Sequence, residues 1–195
     1  MNIVQFGGGG INTVVTSKEE ILETSRELIR TQGWSAVSIR SVAAACGVSV
    51  GSIYNYFDSK ADLVGATVES VWCEIFHRPE DADVFQDTQA CIVWVYERME
   101  YGCRQYPGFF NLHSLGFMRE EKADGKRRMQ QTWQHILNGL CAVLKRDEKV
   151  RPDAFNVQFT AEKFADVLFS LMLSALLRQD YDPAAVLEIV RRTLY

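Results

Sequence analysis

Between Ser38 and Phe57 the chain reads SIRSVAAACGVSVGSIYNYF, and no other stretch restricts the fold as tightly. Ile39, Val42, Ala43 and Cys46 recur at the spacing of one helical face. Gly47 then supplies a residue free to take the left-handed backbone of a sharp helix exit. Ser49 can accept from the first free amides of a second helix, in which Ile53 and Phe57 point inward. About three residues join the two helices, the length of a helix-turn-helix turn. The five residues GVSVG also match the G-x-S-x-G pattern of a hydrolase nucleophile elbow. That elbow needs a buried strand before its serine, whereas the alanine-rich segment here follows a 3.6-residue period. No alternating pattern elsewhere offers a sheet, and His77, His113 and His135 each fall inside a helical pattern. Ser49 is therefore read as a helix cap, and the chain as no enzyme.

The segments on either side extend the helical reading. In TSKEEILETSRELIRTQGW, Ser17 and Glu20 form a capping box, Ile21, Leu22, Ser25, Leu28 and Ile29 share a face, and Gly33 stops the helix. Asp58 or Ser59 caps a longer helix through KADLVGATVESVWCEIFH, which stops before Pro79. Further helices are expected at about 83–105, 108–118, 121–147, 157–179 and 183–194, with Pro107, Gly108, Pro152 and Pro183 at the breaks. The expected fold class is all-α, an N-terminal three-helix head with a helix-turn-helix joined to a larger helical body. Residues 1–16 read as a flexible leader around Gly7–Gly10, 17–60 as the head and 61–195 as the body.

A net charge of −4 gives no global basic field, which argues against a non-specific DNA coater but allows a small local reading surface. Five cysteines (Cys46, Cys73, Cys91, Cys103 and Cys141) contain no C-x-x-C pair and read as free thiols in a reducing cytoplasm. Cys73 and His77 stand one helical turn apart, but two ligands do not make a metal site, and neither metal nor cofactor is expected. The longest apolar run, FADVLFSLMLSALL, is too short to cross a bilayer and carries Asp166, so a buried helix is expected.

The window SIRSVAAACGVSVGSIYNYFDSKADL resembles the DNA-binding signature of the TetR family of bacterial transcription regulators. The resemblance runs from Ser17 to about Leu63. It includes Gly33, Ser38, Ile39, Val42, Ala43, Gly47, Val48, Ser49, Gly51, Tyr54, Tyr56, Phe57, Lys60 and Leu63. It implies a cytoplasmic homodimer whose second motif helix enters the major groove of a palindromic operator. Carried over by position, Ser38, Tyr54 and Lys60 contact phosphates, and Arg40 reaches a phosphate or a base edge. Val50, Gly51, Ser52 and Asn55 face the groove behind the Ser49 cap, while Tyr56 divides between core and DNA. From Ser17 to Leu63, however, five basic residues (Lys18, Arg26, Arg30, Arg40 and Lys60) meet six acidic ones. That balance keeps open an alternative, a helical small-molecule-binding protein without operator binding.

In the body, the resemblance implies a small-molecule effector that spreads the heads and relieves repression. Trp72, Phe76, Trp94, Tyr101, Phe110, Phe117 and Trp133 lie on the helices where an apolar, aromatic-lined cavity is expected, with His113 as an orienting polar group. The last two helices are the implied dimer-forming pair, through Phe164, Leu168, Leu171, Met172, Ala175, Leu187 and Val190.

Overall fold

The computed structural model describes residues 16–76, 84–108 and 123–195, and its described residues form helices and turns with no strand. Eight α-helices follow in order: α1 (Lys18–Gln32), α2 (Ile39–Ala45), α3 (Val50–Tyr54), α4 (Lys60–Phe76), α5 (Thr88–Gln105), α6 (Ala123–Arg146), α7 (Ala161–Arg178) and α8 (Ala184–Leu194). The head packs α1 against α2 and α4, and α2 against α3; the body packs α4 on α5, α5 on α6 and α8, and α6 on α7. The all-α fold with an N-terminal helix-turn-helix is thus what the periodicity announced.

Local chemistry explains the boundaries. Ser17 and Glu20 close the expected capping box, and Gly33 ends α1 at φ 80°. A short 3-10 turn, Trp34–Ala36, fills the space before α2 and was not foreseen. Ser59 Oγ accepts the Asp62 amide at the start of α4. α5 begins at 88 rather than 83 because Asp87 caps it, its side chain accepting from the Ala90 amide after a 3-10 turn at 84–86. Likewise α7 begins at 161 rather than 157, because Thr160 is the cap and Asn156 Oδ1 folds a turn by accepting the Gln158 and Phe159 amides. The helix expected at 108–118 lies, beyond Gly108, outside the described residues.

One continuous apolar core runs from Ile21, Ile29, Val42, Ile53 and Phe57 in the head, through Leu63, Val71 and Ile75 of α4, to Leu168, Met172 and Val190 in the body. At the far end Asp147, buried just past α6, accepts from the Thr88 and Lys149 amides at 2.9 and 3.0 Å and from the Tyr195 hydroxyl. It ties the start of α5 to the chain's last residue. Burial opposes its charge, but the hydrogen bonds from Tyr195 and Thr88 outweigh that and hold the carboxyl below its ordinary 3.8.

Candidate nucleic-acid interface

The turn between α2 and α3 is built as its sequence requires. Ser38 caps α2, its Oγ accepting the Ser41 amide while Ser41 Oγ accepts the Ser38 amide. At the other end Gly47 takes φ 68°, and the Val48 amide donates back to the Ala43 carbonyl at 3.0 Å. Ser49 then caps α3, its Oγ accepting the Ser52 amide at 3.1 Å and lying 2.9 Å from Ser52 Oγ. With a helix on each side, Ser49 has no strained strand exit, and the nucleophile-elbow geometry is absent here.

Ile53 and Phe57 anchor α3 in the core, at 0% and 1% exposure. The opposite face is open: Val50, Gly51, Tyr54 and Asn55 are exposed, as are Arg40 on α2 and Lys60 at the start of α4. Gly51 is not demanded by the fold. Its φ is not positive, and an added Cβ would meet only Ser49 Oγ, at 3.6 Å. Three of the residues assigned to this surface have other duties. Ser38 is half-buried and spends its hydroxyl on the α2 cap. Ser52 is half-buried and shares a contact with Ser49. Tyr56 keeps an exposed ring, but its hydroxyl donates to the Thr16 carbonyl at 2.5 Å, docking the start of the head against the end of α3. The head's basic residues also divide. Arg26 and Arg30 face Glu74 of α4, which leaves Lys18, Arg40 and Lys60 exposed.

The body residues assort differently from expectation. Ring contacts join Trp72 to Phe76 at 5.3 Å and Phe76 to Trp94 at 6.2 Å. Phe85, overlooked in the sequence, completes the cluster 5.2 Å from Trp94. Trp133 packs instead on Phe169 of α7 at 5.8 Å, and the Tyr101 ring lies 4.2 Å from the Arg98 guanidinium. Phe110, His113 and Phe117 lie outside the described residues, as does His77. A cavity of about 470 Å³ opens between α6 and α7, lined by Leu137, Cys141, Ala142 and Ala165 together with Gln134, Asn138, Lys145, Glu162 and Asp166. Among the described residues, none of the aromatic side chains singled out above lines it.

The residues assigned to a dimer seam mostly face inward. Phe164, Leu168, Met172, Ala175 and Val190 are buried in the protomer's own core, and Leu171 and Leu187 are half-buried. The apolar side chains left outside on these helices are Val167 at 46%, Leu177 at 55% and Ile189 at 43% exposure. On these two helices most of the apolar side chains fill the protomer's own interior.

All five cysteines are free thiols. Burial and then Asp87 push the Cys91 thiol up to about 12. Burial likewise raises Cys73, Cys103 and Cys141, which disfavours the thiolate at all four. Among the described residues no group of three metal-ligating side chains gathers, and no helix is long and apolar enough to cross a membrane.

Residues 21–67 match the family model described as bacterial regulatory proteins, tetR family. The uncharacterized HTH-type transcriptional regulator YerO of Bacillus subtilis is 38% identical over 52 residues, covering 27% of this chain and 18% of that protein. Such matches span about a fifth of the curated relatives' own length. The fold extends further. A transcriptional regulator from Rhodococcus sp. Rha1 aligns over 87% of both chains with a TM-score of 0.61 at 19% identity. The regulator FadR from Bacillus subtilis, solved in complex with stearoyl-CoA, aligns over 89% of this chain and 95% of its own, with a TM-score of 0.57 at 16% identity. Residues 21–67 thus carry the signature of the tetR family of bacterial regulatory proteins, and the chain shares the fold of these regulators over most of its length.

Proposed function

We propose that this protein is a cytoplasmic, non-enzymatic DNA-binding transcriptional regulator. It acts as a homodimeric repressor that a small, largely apolar or aromatic ligand releases from a palindromic operator. The observation that carries this reading is the outer face of the helix-turn-helix. Val50, Gly51, Tyr54 and Asn55 stand exposed on a helix whose inner face is fully buried, beside exposed Arg40 and Lys60. A rigid helix presenting unspent polar groups is the element that enters a major groove. Tyr54 and Lys60 are assigned to phosphates, and Arg40 and Asn55 to base edges or adjacent phosphates. Ser38, Ser49 and Ser52 support the surface through the caps they form.

The ligand reading is supported by the Trp72–Phe76–Trp94–Phe85 cluster in the body and by the neighbour in fold FadR, which was solved in complex with stearoyl-CoA. A ligand shifts the head only by binding one body conformation more tightly than the other. The partner protomer is assigned to the outer faces of α7 and α8, where Val167, Leu177 and Ile189 lie exposed.

The test is selection of a duplex from a random-sequence library, followed by fluorescence anisotropy at stated salt with the parent and Tyr54→Ala. The parent should enrich a palindromic site, and Tyr54→Ala should bind every duplex about tenfold more weakly, a loss of roughly 1.4 kcal/mol. Failure to enrich any duplex would favour the alternative, a helical small-molecule-binding protein, to which the near-neutral head points. Equal binding by Tyr54→Ala would refute the docking assigned to α3.

A further inference from the structure

Arg30 of α1 sits at a three-way junction between head and body. One guanidinium nitrogen lies 2.6 and 2.7 Å from the two carboxylate oxygens of Glu74 on α4, and 2.6 Å from the Tyr106 hydroxyl just past α5. The same hydroxyl donates to Glu74 at 2.8 Å, so it accepts from Arg30 and gives to the carboxylate at once. The Arg30 guanidinium also stands 5.1 Å from the centre of the Tyr106 ring. Arg26, one turn earlier, brings its Nε to 2.9 Å from Glu74. Tyr106 is fully buried, and burial together with Glu74 pushes its phenol upward, so it stays a protonated donor. From the body side, Arg98 of α5 donates to the Ile75 carbonyl at 2.5 Å and reaches the Glu74 carbonyl at 3.4 Å. Beside it α5 presses hard on α4, since a Cβ on Gly102 would fall 2.6 Å from Ile75 Cδ1.

The charges on the two sides of this junction are unequal. Each arginine has a second carboxylate on its own helix: Arg26 pairs with Glu23, and Arg30 stands 3.2 Å from Glu27 and 3.5 Å from Glu23. Glu23 and Glu27 are more than half exposed, while the Glu74 side chain is 26% exposed. Breaking a buried ion pair is costly chiefly because it strands the remaining charge. Here the cations of α1 would remain paired on α1 after separation, and only Glu74 and Tyr106 would need water.

We propose that Arg30, Glu74 and Tyr106 form a reversible latch between head and body, with Tyr106 as the positioning residue that holds the head at the angle DNA binding requires. Its cost of release is kept low by the spare partners Glu23 and Glu27. The latch rests on the DNA-binding reading above only for its consequence, not for its existence.

Hydrogen exchange of the full-length protein tests the latch without DNA, in the parent, Tyr106→Phe, Glu74→Gln and the double variant Glu23→Gln/Glu27→Gln. Tyr106→Phe keeps the buried ring and removes both hydrogen bonds that its hydroxyl makes to charged partners. It should speed exchange in the second half of α1 about tenfold or more, as should Glu74→Gln, with α7 and α8 unchanged. The Glu23→Gln/Glu27→Gln pair should slow exchange there several-fold, because release then strands the arginines. A merely structural role would speed exchange in all three, and that result, or no change in Tyr106→Phe, overturns the latch. Tyr106→Phe, which alters no charge, should also bind the selected duplex several-fold more weakly. Faster exchange with parental affinity would overturn the positioning role, whereas a parent that binds no duplex overturns the DNA reading and leaves the exchange result standing.

Discussion

Replacing Gly51 by alanine should move stability and DNA affinity in opposite directions. Gly51 is the second residue of α3, its φ is not in the left-handed region, and a methyl group there meets nothing closer than Ser49 Oγ at 3.6 Å. Glycine within a helix costs roughly 0.5–1 kcal/mol relative to alanine, through backbone entropy. In a five-residue helix, with the position in its first turn, the lower end applies, so Gly51→Ala should stabilise by about 0.5 kcal/mol. For a domain of this size that raises the melting midpoint by about 1–2 °C. The same methyl would stand on the exposed face assigned to the duplex, and binding to the selected site should weaken at least about tenfold, or about 1.4 kcal/mol. Gly47→Ala is the control with the reverse signature. Gly47 lies at φ 68° with open space around it, so only backbone strain enters, about 1–2 kcal/mol of destabilisation. Affinity measured well below that variant's melting point should be unchanged. Thermal melts and anisotropy on the same preparations give both numbers. A Gly51→Ala protein that melts higher yet binds as tightly as the parent would refute the assignment of α3 to the groove. One that melts lower would refute the local geometry itself.

Acid should loosen the far end of the body through Asp147. Its folded carboxyl is held below the ordinary 3.8, so the stabilisation is complete well above that value and is lost as pH falls through it toward the folded one. Asp147→Asn keeps one acceptor oxygen but turns an amide donor toward either the Thr88 or the Lys149 amide. It should cost about 2 kcal/mol at neutral pH and flatten the acid limb, read by urea melts at several pH values; a parental acid limb would refute this. At the α7–α8 surface, Val167→Glu combined with Leu177→Glu places charge on side chains already exposed, so the protomer should stay folded while a micromolar dimer dissociates in sedimentation. An intact dimer in that variant, or a monomeric parent, would remove the partner from this face.

The head was legible because its information is local. Ser17, Gly33, Ser38, Gly47 and Ser49 act within three or four residues of themselves, through caps and turn conformations that a short window contains in full. What a window cannot show is where a side chain's polar group is spent once distant elements meet. Tyr56 looks free in sequence, yet gives its hydroxyl to a carbonyl forty residues away, and Arg26 and Arg30 count only as basic charge of the head until Glu74 arrives from α4. The tryptophans illustrate the same limit, since Trp72 and Trp94 cluster with Phe85 while Trp133 follows α6 to a different neighbour. On α7 a further limit applies. That helix packs against its own protomer on one side and is assigned a second copy on the other, and its exposed positions mix Val167 and Leu177 with Glu162, Lys163, Asp166 and Ser170, so periodicity alone marks no assembly face. Phe164, Leu168 and Met172 turn inward while Val167 and Leu177 stay at the surface, and position on the helix, not residue type, separates Leu168 from Leu177. The sites a sequence leaves open are thus those where the protomer's own core and an assigned partner would draw on one helix.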